Sequence, residues 1–340
     1  MSLRLNKIIR MAESHLKAGE FSQAEQLFKD ILHEFPKNKK AIAGYLKIRA
    51  GINNKGSSNS EPPHDQLQVL VNLFNNNLWE EVISKVNPLI SVFPKAKMLH
   101  NLKGASHAAL NHYDIAIESY DKAIKIDPKH YEAHSFLGNA LKHKGDIDAA
   151  IDSYRRALKL RPDFAEGHIN LGAVLREKGD LSGAIDSCRN ALKMKPDFLQ
   201  AYINLGTLLR DTGNFDGAME SCLSALKINP DSVEAHVNLG LLLGEKQDFE
   251  DSLNHFKRAI EIDPKNAGTY FNLGNVYIWQ FELDAALLNI QKAIDLKSNH
   301  TDANFRKSEI LLNRHQFARG WALYDSNRSV NYEKILGVFT

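Results

Sequence analysis

The chain has 340 residues, 43 of them Lys or Arg and 41 Asp or Glu, for a net charge of +2. That balance argues against the concentrated basic face that grips nucleic acid, and no apolar run approaches the roughly 18 residues of a membrane span. The two cysteines exclude a disulfide framework and fit a reducing, cytoplasmic setting.

The N-terminal MSLRLNKIIRMAESHLKAGE has too few consecutive apolar residues for a signal-peptide core. It reads as an amphipathic helix with Leu5, Ile8, Ile9, Ala12 and Leu16 on one face. Residues 5–38 predict a helical hairpin that Gly19 breaks, Ala24, Phe28 and Ile31 pack, and Pro36 ends. Lys39 to Ala50 predicts one more helix, but the expected second helix of that pair is missing. GINNKGSSNSEPP follows instead and reads as a linker. Residues 1–60 hold 11 Lys or Arg against 5 Asp or Glu, scattered at the helical spacing of a solvated face. The expected organisation is an N-terminal hairpin with an extra helix at 1–52, a flexible linker at 53–62, a repeat array at 63–334 and a tail at 335–340.

From Pro63 the pattern becomes regular. Leu67, Leu70, Val71 and Phe74 predict a helix, Asn77 takes the turn, and Val82 to Val92 predict its partner, with a kink expected at Pro88. Pro94, Pro128, Pro162, Pro196, Pro230 and Pro264 are then spaced 34 residues apart, as are Gly104, Gly138, Gly172, Gly206, Gly240 and Gly274. Two series locked together over six copies leave almost no room for accident. Within one copy, Ala133, Leu137 and Leu141 and then Ile147, Ala150, Ile151, Tyr154, Ala157 and Leu158 give helical periodicity in two runs separated by Gly145.

Small residues recur at Gly138, Ala150 and Ala157 and their equivalents, with large ones opposite at Tyr120, Tyr154 and Phe256, and Cys188 and Cys222 in the same place. A hairpin this short cannot bury its apolar face alone, so the copies must stack. Adjacent helices about 8 to 10 Å apart hold Cys188 and Cys222 beyond disulfide reach, so both are expected to be free and buried. Beyond Pro264 the pattern decays: Phe281 replaces the turn glycine, Ser298 replaces the proline, and residues 301–328 make a last degenerate copy.

The run LGNALKHKGDIDAAIDSYRRALKLRPD, Leu137 to Asp163, resembles a tetratricopeptide repeat, and the resemblance extends from about Leu5 to Arg328. It implies an all-α fold, a right-handed superhelical α-solenoid of tandem helix-turn-helix repeats whose first helices line a concave groove. Its usual ligand is another protein. FARGWALYDSNR, Phe317 to Arg328, is similar to the closing segment of repeat arrays that precede a glycosyltransferase-like domain, although Trp321 and Tyr324 also suit a simple cap on the core.

No nucleophile elbow, phosphate loop or zinc-spaced cluster is present, so neither enzyme, metal nor cofactor is expected. His100, His134, His168 and His236 each stand four residues before a repeat glycine, which marks them as packing residues. Asn170, Asn204, Asn238 and Asn272 each stand two residues before one. This line resembles the asparagine ladder of the O-linked N-acetylglucosamine transferase superhelix, which implies amides that bind the backbone of an extended peptide. Asn in a common Asn-Leu-Gly run is the plainer alternative. Asn139 and Asn170 also match the carboxylate clamp of chaperone-tail receptors, but Ser135, Gln200 and Asn204 stand where its cations would be. Lys142, Arg176 and Arg210 form a basic line nearby, diluted by Glu177 and Asp211. The expected function is a scaffold that holds an extended protein or peptide in the groove, or alternatively the substrate-recognition region of a larger transferase.

Overall fold

The computed structural model describes residues 2–18, 20–36, 38–49 and 61–324. Residues 53–60 of the expected 53–62 linker, the turn at Gly19 and the segment from 325 onward lie outside them. Among the described residues the chain is helical, with no strand. It divides into two compact units, one up to Lys178 and one from Gly179.

In the first unit α1 (Ser2–Ala18) pairs with α2 (Phe21–Glu34), and α3 (Lys39–Arg49) packs on both. Three hairpins follow: α4 (His64–Asn75) with α5 (Trp79–Val92), α6 (Lys97–Ala109) with α7 (Tyr113–Ile126), and α8 (Tyr131–Lys144) with α9 (Ile147–Leu160). The unit ends with α10 (Ala165–Lys178), packed on α9 and α8. Pro88 lies inside α5, which runs on through it. The unpaired α3 is seated at both sides. A Cβ on its Gly44 would stand 2.1 Å from Cζ of the Phe28 ring of α2, and its Leu46 packs against the core of Leu70, Val82 and Val86.

The second unit begins with α11 (Leu181–Met194) and continues as hairpins α12 (Leu199–Asp211) with α13 (Phe215–Ile228), α14 (Val233–Glu245) with α15 (Phe249–Ile262), and α16 (Ala267–Trp279) with α17 (Leu283–Leu296). Then α18 (Thr301–Asn313) packs on α17, and residues 317–324 are again helical. First helices neighbour first helices, α6 with α8 and α8 with α10 in one unit, α12 with α14 and α14 with α16 in the other.

The hairpins turn on one left-handed residue each. Asn77, Asn111, Gly145, Gly179, Gly213, Gln247, Phe281 and His315 all have positive φ, between 57° and 92°, and their spacing is the 34 residues of the repeat. At Gly145 the turn closes with Gly145 N–H donating to Lys142 C=O and Asp146 N–H to Leu141 C=O, both at 2.9 Å, which satisfies carbonyls that the helix end would strand. The non-glycine residues adopt the same backbone at a cost of about 1 to 2 kcal/mol.

The small-to-large pairing is tight. A Cβ added at Gly138 would stand 2.8 Å from the Tyr154 ring, one at Gly206 2.8 Å from Cys222 Sγ, and one at Gly274 2.8 Å from Ile290. Cys188 and Cys222 are free and buried. Burial pushes their thiols up, to about 12 and about 11, so both remain protonated packing groups.

The histidine series has a specific job. His100, His134, His168 and His236 each place Nε2 3.0 to 3.2 Å from the carbonyl of the proline six residues earlier, Pro94, Pro128, Pro162 and Pro230. The proline ends one helix and the histidine of the next holds its carbonyl. On the surface, Lys144 pairs with Asp114, Lys178 with Asp148, Lys246 with Asp216 and Arg314 with Asp284, at 2.6 to 2.9 Å. These pairs join successive copies, but solvent screens such exposed pairs and leaves them little weight in stability.

Candidate functional site

The first helix of each copy divides its side chains between two surroundings. In α8, Ala133, His134, Gly138 and Ala140 are buried against neighbouring helices, while Asn139 and Lys142 are half-buried and Phe136 is exposed. The amides expected to form a line are half-buried in every case: Asn170 on α10 in the first unit, and Asn204, Asn238 and Asn272 on α12, α14 and α16 in the second. In the second unit the three carrier helices are successive neighbours. Asn238 Nδ2 donates to Thr207 Oγ1 of α12 at 3.1 Å, so this face runs from one first helix to the next.

The amides differ in how much hydrogen-bonding capacity they keep. Asn170 and Asn272 make no side-chain hydrogen bond among the described residues. Asn204 Oδ1 accepts from Gln200 at 2.9 Å, which leaves its Nδ2 donors, and Asn238 keeps its oxygen. Asn139 is tied inward, accepting from the Tyr154 hydroxyl at 2.6 Å. The basic line is locally offset: Lys142 Nζ lies 3.0 Å from Glu177, and Arg210 3.5 Å from Asp211. Arg176, on the exposed surface of α10, completes that series. Among the described residues no three His, Cys, Asp or Glu side chains converge as metal ligands, and no helix is long and apolar enough to cross a membrane.

Two features escape the repeat pattern. Ser119, Ser153, Ser187 and Ser221 recur every 34 residues, each donating to the carbonyl four residues earlier. In the next copy His255 stands there, and its Nδ1 lies 2.9 Å from Nδ1 of His236. Phe136 likewise occupies the place of the amide series one copy before Asn170. The signal for both is the edge of a run in a 34-residue column, with serines before His255 and asparagines after Phe136. In the closing motif, Trp321 is half exposed and meets Tyr324 edge-on at 5.5 Å, while Tyr324 lies against Phe305 at 5.6 Å. Residues 325–328 of that motif lie outside the described residues.

Models described as TPR repeat match residues 104–145, 138–176 and 242–278, and models described as tetratricopeptide repeat match 9–38, 175–239 and 267–300. The chain belongs to the tetratricopeptide-repeat proteins. Solved structures agree on the fold. A tetratricopeptide repeat protein from Parabacteroides merdae ATCC 43184 has a TM-score of 0.61 at 19% identity, over 71% of this chain and 95% of that one. The APC/C hetero-tetramer Cut9-Hcn1 gives 0.60 at 14% identity over 89% of this chain and 55% of its own. YrrB, described as a TPR protein with an unusual peptide-binding site, is 26% identical over 56% of this chain and 99% of its own, with a TM-score of 0.45. No curated protein matches the chain. As an array of tetratricopeptide repeats, this chain is in general terms a protein-interaction scaffold.

Proposed function

We propose that the face formed by the first helices α12, α14 and α16 holds an extended segment of another protein, with Asn204, Asn238 and Asn272 bonding its backbone, and that Asn170 on α10 of the first unit offers a peptide backbone the same kind of amide. The observation that carries this reading is the unused capacity of these amides: all four are half-buried, and Asn170 and Asn272 make no side-chain bond within the described residues. A packed structural asparagine would be satisfied from within the protein. In the second unit, one amide per first helix, with helices about 10 Å apart, matches about three residues of extended chain at about 3.3 Å each. Of the other candidate binding residues, Asn139, Lys142 and Arg176 stand on the first helices α8 and α10 of the first unit and Arg210 on α12 of the second. Because Lys142 and Arg210 have acidic neighbours, the segment need not be acidic. The role proposed is binding, without turnover.

Four amide bonds at a net of about 0.5 to 1.5 kcal/mol each amount to roughly 2 to 6 kcal/mol, less the cost of association, so binding should be weak and broad. Replacing Asn170, Asn204, Asn238 and Asn272 together by Ala is expected to weaken binding of extended peptides at least tenfold, since about 1.4 kcal/mol suffices. The melting temperature should hardly change, because Ala is the better helix former. Peptide affinity by calorimetry and thermal unfolding by circular dichroism read the two quantities. Unchanged affinity would sink the ladder, and a collapsed melting temperature would make the asparagines structural.

A further inference from the structure

One pairing between neighbouring first helices changes character in the second unit. In the first unit Lys142 of α8 reaches Glu177 of α10 at 3.0 Å. The residues in these two places on α14 and α16 are Gly244 and Trp279, and they meet as well. A Cβ built on Gly244 would stand 2.7 Å from Cζ3 of the indole. The edge of the ring thus rests on α14 where a basic side chain rises in the earlier copies, and Trp279 remains 44% exposed. Both helices are neighbours within one unit.

The same exchange leaves negative charge unmatched. Glu245 holds the place of Trp279 one copy earlier, and it is exposed with no ion pair among the described residues. The nearest cations in the repeat are engaged: Arg210 lies 3.5 Å from Asp211 and Lys246 2.8 Å from Asp216. One copy after that last pair stand Gln280 and Glu250, so Glu250 also lacks its cation. On α16, Asn272, Asn275 and Trp279 stand at the spacing of one helix face. Asn275 holds the place of Asn139, but Ile290 holds that of Tyr154. The hydroxyl that binds Asn139 is therefore missing, and Asn275 Oδ1 has no internal partner.

A half-exposed indole beside unpaired carboxylates selects its occupant by charge. The ring attracts a cation, and Trp does so best among the aromatic residues. A carboxylate would be repelled by Glu245, and an aliphatic side chain would strip water from Glu245 without offering a counter-ion. A guanidinium suits the place better than an ammonium, because it is planar enough to stack on the indole while its N–H groups reach carboxylate and amide oxygens. We infer that Trp279 and Glu245 receive an arginine side chain of the bound segment, which supplies the cation that the array itself lacks at Gly244. Because Trp279 shares a face of α16 with Asn272, this arginine sets the position of the segment along Asn204, Asn238 and Asn272. The inference rests on the groove reading above.

The test uses the full chain and labelled, end-blocked peptides of Ser, Ala and Gly with one central guest residue, Arg, citrulline, Glu or Leu. About 12 residues suffice to cross three rungs at about 3.3 Å per residue. Citrulline keeps the shape of Arg without its charge. By fluorescence anisotropy the Arg guest should bind about fivefold tighter than citrulline or Leu, with Glu weakest, and added salt should erode the difference because Glu245 is exposed. Glu245→Gln removes the charge at an exposed position without disturbing the fold, and should remove most of the preference. Trp279→Leu should do the same, whereas Trp279→Phe should keep part of it. An Arg guest that binds no tighter than citrulline or Leu, or a preference that survives Glu245→Gln, overturns the arginine seat but leaves the ladder standing. If Trp279→Leu lowers the melting temperature, Glu245→Gln decides alone. Failure of every guest peptide to bind the wild type overturns both.

Discussion

Gly240 meets Phe256 so closely that a Cβ there would lie 2.8 Å from the ring, and Phe256 is fully buried. Gly240→Val is therefore expected to cost about 1 to 3 kcal/mol by overpacking, read as a lowered urea midpoint. Adding Phe256→Leu should recover part of the loss, a non-additivity that residues in contact show and distant ones do not. Phe281 presents the opposite case. It holds φ 63° with 88% of its surface exposed, so it bears left-handed strain without packing in return. Phe281→Gly should raise stability by up to about 1 kcal/mol, whereas a lower melting temperature would show that the ring has a contact within the chain.

At the scale of the hairpin, α14 and α15 carry a departure from the serine column that introduces a titratable imidazole, His255. His255 has its pKa lowered, by burial first and then by His236, with Asp251 opposing. With Nδ1 of His236 at 2.9 Å, only one proton fits between the two rings. Above the ordinary value of 6.5 the folded and unfolded chains are both neutral here and the hairpin has its full stability. As pH falls below that value the unfolded chain takes up a proton that the folded one resists, so stability is lost down to the folded pKa. The melting temperature of the wild type should thus fall between neutral and mildly acid pH, and His255→Ser, which restores the residue of the other copies, should make that fall shallower. An identical slope in both proteins would remove the pair from the account. Hairpins, turn positions and small-to-large pairs were legible beforehand because they recur; Asn77 and Phe281 were read as turn residues from spacing alone. His255 and the seat of Phe28 on Gly44 were not, since each takes its meaning from a neighbour across a helix contact. The amides of Asn170 and Asn272 were legible as a series, but only the structure shows them without internal partners.

Over the whole molecule, within each unit a copy touches its neighbours and little beyond them, so damage should stay local. Hydrogen exchange of Gly240→Val is expected to accelerate in α14 and α15, less in α12, α13, α16 and α17, and hardly at all in α6 to α9. Uniform acceleration would mean that the array opens as one cooperative body. The unbroken period also has a mechanical consequence. Each regular copy contains the same 34 residues from glycine to glycine, which at about 3.3 to 3.6 Å per residue extend to roughly 110 to 120 Å. Drawn out by its ends, such an array lengthens in equal strides, so a tether built from it measures out distance in units of one hairpin.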